Sequence, residues 1–197
     1  MEKKYMYERV IKRLLDVTFA ILLLLVLIIP MLTIAIIVKA TSKGPVLFVQ
    51  ERFGKNSRKF NLLKFRSMQV NAPLVSNQSF DMVQAHVTPF GKVMRELSLD
   101  ELPQVLNVLL GQMSFIGPRP LAESDLRVIE LRRQTGADRV KPGITGWAQV
   151  NGRNNLDDEH KAAFDKEYSD DVSFKNDVKI VVLTIVNVIA RTVINAD

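Results

Sequence analysis

The run Arg95-Glu96-Leu97-Ser98-Leu99-Asp100-Glu101-Leu102-Pro103-Gln104 sets two carboxylates side by side where a helix is expected to begin. Ser98 and Glu101 have the spacing of a capping box, but a cap at Ser98 would push Pro103 into the helix interior, whereas a cap at Asp100 keeps it in the first turn. The pattern therefore predicts Asp100 at or near the N-cap of a helix running to Leu110, with Gly111 as its stop. A capping role alone, worth about 1 kcal/mol, would account for Asp100 and leave Glu101 solvated. The chemical reading is that a helix N-terminus suits a phosphate, and that a carboxylate there can share Mg²⁺ with a diphosphate.

Two cationic stretches lie downstream. Phe115-Ile116-Gly117-Pro118-Arg119-Pro120 fixes Arg119 between two prolines, so its guanidinium loses little freedom on engaging a phosphate; a rigid turn with Arg119 in a salt bridge is the competing reading. Lys141-Pro142-Gly143-Ile144-Thr145-Gly146-Trp147-Ala148-Gln149-Val150-Asn151-Gly152-Arg153 packs glycines, amides and cations into one stretch where backbone can approach a ligand closely. Trp147 fits a core position; Arg153 does not.

Composition narrows the chemistry. The 197 residues include no cysteine and only two histidines, His86 and His160, so thiolate chemistry and a usual zinc site are excluded and any metal should take oxygen ligands. The net charge of +6 calls for an anionic partner. Basic residues form no long block and aromatics make up 7%, which argues against nucleic acid.

The elements that must position these residues read as α+β and mostly helical. Val46 to Gln50, a turn at Gly54-Lys55-Asn56 and Lys59 to Phe65 form a short β-hairpin able to hold phosphate-facing lysines. Val70 to Val87 reads as a polar loop and the likeliest region for substrate choice. Helices are expected over Gly91 to Glu96, Leu121 to Thr135, Asp157 to Tyr168 and Asn176 to Ile194. The last has an apolar face wide enough either to pack on the domain or to lie in a membrane interface.

From Val17 to Val38 no residue is charged, a run just long enough to cross about 30 Å of hydrocarbon. Pro30 sits past its middle and removes one helical hydrogen bond. Lys3, Lys4, Arg9, Lys12 and Arg13 precede the run and Lys39, Lys43, Arg52, Lys55, Arg58 and Lys59 follow it, so the positive-inside rule asks for both flanks in the cytoplasm, near anionic lipids. A re-entrant hairpin bent at Pro30 satisfies that rule. An ordinary kinked spanning helix is the simpler alternative. Residues 1–40 are thus read as the anchor and 41–197 as the catalytic domain.

Taken in order, Lys12-Arg13-Leu14-Leu15-Asp16, Lys64-Phe65-Arg66-Ser67-Met68, Leu97 to Gln104, Met113 to Pro120, Val140 to Arg153 and Asp177-Val178-Lys179-Ile180 resemble the small monotopic phosphoglycosyl transferases, the bacterial sugar transferase family. The resemblance covers nearly the whole chain. It implies a re-entrant membrane helix with both ends cytoplasmic, a mostly helical domain with interfacial helices, and an Asp-Glu dyad, here Asp100 and Glu101. Asp100 would attack the sugar-linked phosphate of a UDP-sugar, expel UMP, and form a phosphosugar-aspartyl intermediate that undecaprenyl phosphate then attacks. Glu101 would assist through Mg²⁺ or protonation.

Lys64, Arg95 and Arg119 become the candidates for phosphate contact, and Arg153 matches a family position at the nucleotide end of the donor. Ile29 stands where the family often has serine before the membrane proline, which affects how sharp the bend is. The resemblance places the chain at the bacterial cytoplasmic membrane, in assembly of a capsule, exopolysaccharide or O-antigen. It leans toward an N-acetylated amino sugar without excluding glucose or galactose, and leaves the oligomeric state, a homodimer included, open. A noncatalytic basic membrane adaptor and a membrane-bound metal-dependent phosphoesterase are the competing functions.

Overall fold

A computed structural model describes residues 6–70, 86–152 and 156–194, with residues 191–194 described by backbone alone. The arginine expected at the nucleotide end, Arg153, and nearly all of the polar loop, residues 71–85, lie outside the described residues.

A π-helical turn, Tyr7–Ile11, leads into helix α1, Lys12–Thr41, which at 30 residues is about 45 Å long. With its preceding turn it is the one helix among the described residues long and apolar enough to cross a membrane. One face is inward: Asp16, Ala20, Ile34 and Val38 are buried, and Leu23, Leu24, Leu27, Met31 and Ala35 are partly so, at the three-and-four spacing of a single helical stripe. The other face carries exposed Leu14, Leu22, Leu25, Ile29, Leu32 and Ile36. The helical backbone continues through Pro30, where a break between two helices was expected. Proline removes only one N–H from the ladder, and Thr33 Oγ1 donates to the Ile29 carbonyl 3.0 Å away in the same turn.

The hairpin forms as expected but is longer: β1, Leu47–Phe53, pairs antiparallel with β2, Lys59–Phe65, across a turn in which Asn56 and Ser57 take positive φ. Helix α2, Pro89–Glu96, starts with proline at its first turn and Thr88 Oγ1 accepting from Gly91 N at 3.0 Å. A 3₁₀ turn, Leu99–Glu101, precedes the short helix α3, Gln104–Leu109. Strand β3, Ser114–Ile116, and strand β4, Gly143–Thr145, pair in parallel where local pattern indicates only turn and loop. Between them runs α4, Leu126–Thr135; after them come α5, Trp147–Val150, α6, Asp158–Asp170, and α7, Phe174–Ile194.

The anchor helix contributes directly to the core. Ala20, Leu23 and Leu24 pack with Leu62, Val105, Val108 and Met113, while Met31, Ile34, Ala35 and Val38 pack with Phe65, Met94, Leu99 and Leu102. Each large side chain buried there is worth about 1.5–3 kcal/mol. At its N-terminal stem, Lys12 Nζ and Tyr7 Oη both donate to Asp177 Oδ2, at 2.6 and 2.7 Å, and Tyr168 Oη donates to Asp177 Oδ1 at 2.8 Å. Asp177 lies in the first turn of α7, so anchor and final helix are locked together by a buried carboxylate.

Candidate active site

The dyad is presented by a sharp reversal. After α2 ends at Glu96, Ser98 adopts a left-handed conformation with φ of 55°, costing about 1–2 kcal/mol for a residue with a Cβ. Leu99 and Leu102 then pack against the anchor, which holds the intervening Asp100 and Glu101 in the 3₁₀ turn. Asp100 is therefore not the N-cap of a long helix: neither this turn nor α3 has a side-chain cap, and α3 starts only at Gln104, after Pro103. The apolar residues on either side of the dyad, seeking the anchor, override local capping logic.

Asp100 is buried while Glu101 is partly open. Burial pushes the Asp100 carboxyl above its ordinary range; Lys64 pulls it back, the Glu101 charge raises it again, and Arg95 and a backbone N–H lower it. Lys64 on β2 reaches Glu101 directly, Nζ to Oε1 2.7 Å, with the two side chains 19% and 31% exposed. Arg95, on the last turn of α2, is aimed by Nε donating to Ser67 Oγ at 2.9 Å. Ser67 is itself pressed against α2, where a Cβ on Gly91 would come within 2.0 Å of the Ser67 carbonyl oxygen. Neighbouring Arg66 points the other way, its Nη2 donating to Ser42 O at 2.8 Å where the chain leaves α1.

Arg119 is exposed between buried Pro118 and Pro120, and its side chain forms no salt bridge among the described residues; its carbonyl accepts from Arg132 Nη1 at 2.9 Å. The β3–β4 pair supports this turn: Gly117 N donates to Thr145 O at 2.8 Å and Gly143 N to Pro118 O at 2.9 Å. The packing admits no side chain, since a Cβ on Gly146 would lie 2.0 Å from Gly117 O. Trp147 packs at the edge of the core formed by Tyr168, Val172 and Ile180, half-buried, and donates to Glu167 Oε2 at 2.8 Å beneath the Lys179 ammonium.

Two anchor residues tie this machinery to α1. Arg13 donates to the Val108 and Leu109 carbonyls, at 2.6 and 2.9 Å, and so caps α3 behind the dyad. Asp16 accepts from Ser114 Oγ and Phe115 N, at 3.0 and 3.1 Å, and so holds the strand leading to Arg119. The sequence reading named Lys64, Arg95, Asp100 and Glu101 as candidates, and in the structure Lys64 pairs with Glu101 while the charges of Lys64, Glu101 and Arg95 all act on Asp100. It missed Arg52 on β1, which feels the charges of both Arg119 and Glu101.

No cluster of three or more His, Cys, Asp or Glu side chains occurs among the described residues. Asp100 and Glu101, consecutive in the 3₁₀ turn, are two oxygen donors, the ligand type that a magnesium ion would take.

Comparison with known proteins closes on the same region. Residues 7–191 match the family model described as bacterial sugar transferase. The chain is 43% identical over 176 residues to a sugar transferase named EpsL of Bacillus subtilis, covering 89% of this chain and 86% of that one. It is 42% identical over 192 residues to the UDP-glucose:undecaprenyl-phosphate glucose-1-phosphate transferase of Escherichia coli, covering 90% of this chain and 40% of that one. To the galactosyl transferase CpsE of Streptococcus agalactiae it is 38% identical over 205 residues, 96% of this chain and 45% of that one. The chain thus spans nearly all of EpsL and less than half of the other two.

Proposed function

The chain belongs to the bacterial sugar transferase family, and on that premise we propose that it moves a sugar-1-phosphate from a UDP-sugar to undecaprenyl phosphate at the cytoplasmic face of a bacterial membrane. The observation that carries the reading is the buried Asp100, adjacent to a Glu101 that Lys64 grips at 2.7 Å, in a turn seated on the membrane helix. A dyad placed there can meet a water-soluble donor and a lipid-borne acceptor at one point.

In the proposed mechanism an ionised Asp100 oxygen attacks the sugar-bearing phosphorus of the donor. The bond from that phosphorus to the bridging oxygen breaks and UMP leaves with the electron pair. The resulting acyl phosphate keeps its group-transfer potential until an oxygen of undecaprenyl phosphate attacks the same phosphorus and frees the Asp100 carboxylate. Lys64 and Arg95 offset the repulsion between carboxylate and diphosphate, and Arg119, on a backbone turn held by β3 and β4, supplies a guanidinium for phosphoryl oxygens. Mg²⁺, held by Asp100 and Glu101, would supply charge neutralisation at the phosphates. The pairing of Lys64 with Glu101 leaves Asp100 as the carboxylate without a direct cation partner among the described residues, which favours it over Glu101 as nucleophile.

The membrane attitude follows from the packing of α1. Legs on both sides of Pro30 rest on the same domain, while Leu25, Val26, Ile28, Ile29 and Pro30 stand exposed between them. A spanning helix would carry one leg away from the domain, so these contacts favour a re-entrant anchor with both ends cytoplasmic. The exposed apolar residues Val181, Val182, Ile185, Val186 and Ile189 suit α7 to the interface. Since the chain has no cysteine, single cysteines at residues 3 and 43 provide a clean topology probe. Both should resist an impermeant thiol reagent added outside intact cells; labelling of one alone would mean a span.

The relatives' names refer to glucose and galactose, which favours a hexose donor over the N-acetylated amino sugar toward which the sequence leaned. UMP release from a panel of UDP-sugars, with Mg²⁺ and undecaprenyl phosphate, tests the proposal. Release from one donor supports it and names the sugar, whereas phosphate-ester hydrolysis indifferent to undecaprenyl phosphate would replace it with a phosphoesterase.

A further inference from the structure

Arg52 is a cation in the site with no role so far. In the hairpin register Phe48 faces Lys64, Gln50 faces Leu62 and Arg52 faces Phe60, so Lys64, Gln50 and Arg52 lie on one face of the sheet. One end of that face grips the dyad, through Lys64 and Glu101. Toward the other, Arg52 Nη2 donates to Gln50 Oε1 at 2.7 Å, which orients the guanidinium, while its Nε is buried and meets no acceptor.

The hairpin is also stapled to the second cationic segment: Phe53 N donates to Leu121 O at 2.8 Å, just past Pro118-Arg119-Pro120. Arg52 and Arg119 are thereby brought close enough to repel. Burial and the Arg119 charge hold the Arg52 guanidinium below its usual range, against the pull of Asp125 and Glu101. Neither arginine forms an ion pair among the described residues. Two like-charged forks held together, neither paired with a carboxylate among the described residues, form an arrangement that an anion between them would complete.

We propose that Arg52 is a further substrate-binding residue, which with Arg119 clamps phosphoryl oxygens of a nucleoside diphosphate at the end of the hairpin face that Lys64 begins. The inference rests on the nucleotide-sugar donor proposed above. The clamp explains why both hairpin and proline-flanked turn are needed: each contributes one fork, and the staple at Phe53 sets their separation. Lysine at position 52 would keep a point charge but lose the two-pronged contact.

The test compares wild type with Arg52→Gln and Arg52→Lys, using free UDP with Mg²⁺ as the binding probe and UMP release as the kinetic one. UDP should raise the wild-type thermal midpoint, and this rise should vanish in Arg52→Gln, with the ligand-free midpoint kept. Donor KM should increase at least about tenfold in Arg52→Gln, the loss expected for one charge-assisted contact, and less in Arg52→Lys. Should Arg52→Gln fail to fold, Arg52→Lys carries the comparison. Wild-type UDP response and donor KM in the variants would overturn the clamp while leaving the transferase standing. A wild type that responds to UDP yet releases no UMP would sink the transferase and leave the clamp to be judged on UDP binding. No UDP response in a wild type that releases UMP would overturn the clamp alone, and neither response nor UMP release would overturn both.

Discussion

Replacing Lys64 by Met should move the acidic limb of the pH–rate profile to higher pH and cut turnover at neutral pH. Lys64 is the strongest of the charges that oppose the burial of the Asp100 carboxylate, and its Nζ lies 2.7 Å from Glu101 Oε1. An opposite charge within about 4–6 Å at an effective dielectric of about 20 is worth about 3–4 kcal/mol. Both Lys64 and Glu101 keep some solvent contact, at 19% and 31% exposure, so about half of that is the reasonable expectation. Losing that cation would push the Asp100 carboxyl further up and lower its ionised fraction on the acid side of its titration. The assay is the initial rate of UMP formation across pH, at saturating donor, for wild type, Lys64→Met and Lys64→Arg. Arginine keeps the charge and should restore the position of the limb, if not the full rate. An unmoved limb in Lys64→Met would refute the claim that this cation keeps the nucleophile ionised.

Other consequences follow from the same contacts. Asp100→Asn should abolish transfer yet raise the thermal midpoint at neutral pH, because the raised Asp100 carboxyl makes its charged form a burden in the fold. A folded state that binds the proton more tightly than the unfolded chain loses stability as pH climbs from the ordinary 3.8 through the raised value, so the variant's advantage should fade on acidification toward 3.8. Asp177→Ala strips Tyr7, Lys12 and Tyr168 of a buried partner and should cost about 3–5 kcal/mol in denaturant unfolding, with the stem of α1 becoming protease-sensitive. Gly146→Ala puts a methyl 2.0 Å from Gly117 O and should cost about 1–3 kcal/mol, weakening donor binding through a displaced Arg119. Ser98→Gly, which suits φ of 55°, should keep activity, whereas Ser98→Val should lose stability and turnover together.

What could be read from the sequence was what local pattern decides. The hairpin is written in alternating residues around Gly54-Lys55-Asn56, and α7 in its stripe of valine and isoleucine; both formed where expected. The cap at Asp100 was misplaced because the decisive force is non-local: Leu99 and Leu102 bury against the anchor and Ser98 turns left-handed to let them. The β3–β4 pair has strands of three residues each, too short for any periodicity, and it exists because distant glycines let two backbones meet. Arg52 looked like one more flanking charge until the strand register set it on the face of Lys64. The sequence showed Arg13 and Asp16 as a motif, but only their partners on α3 and β3 show that the membrane stem supports the dyad.

The role of Asp100 is decided by a rapid quench of wild type mixed with its UDP-sugar and Mg²⁺ in the absence of acceptor. A covalent route through Asp100 gives about one UMP per enzyme, a sugar-phosphate mass on the peptide containing Asp100, and its loss on adding undecaprenyl phosphate. UMP appearing only when acceptor is present, with no label on the protein, would mean direct transfer and contradict the role assigned to Asp100.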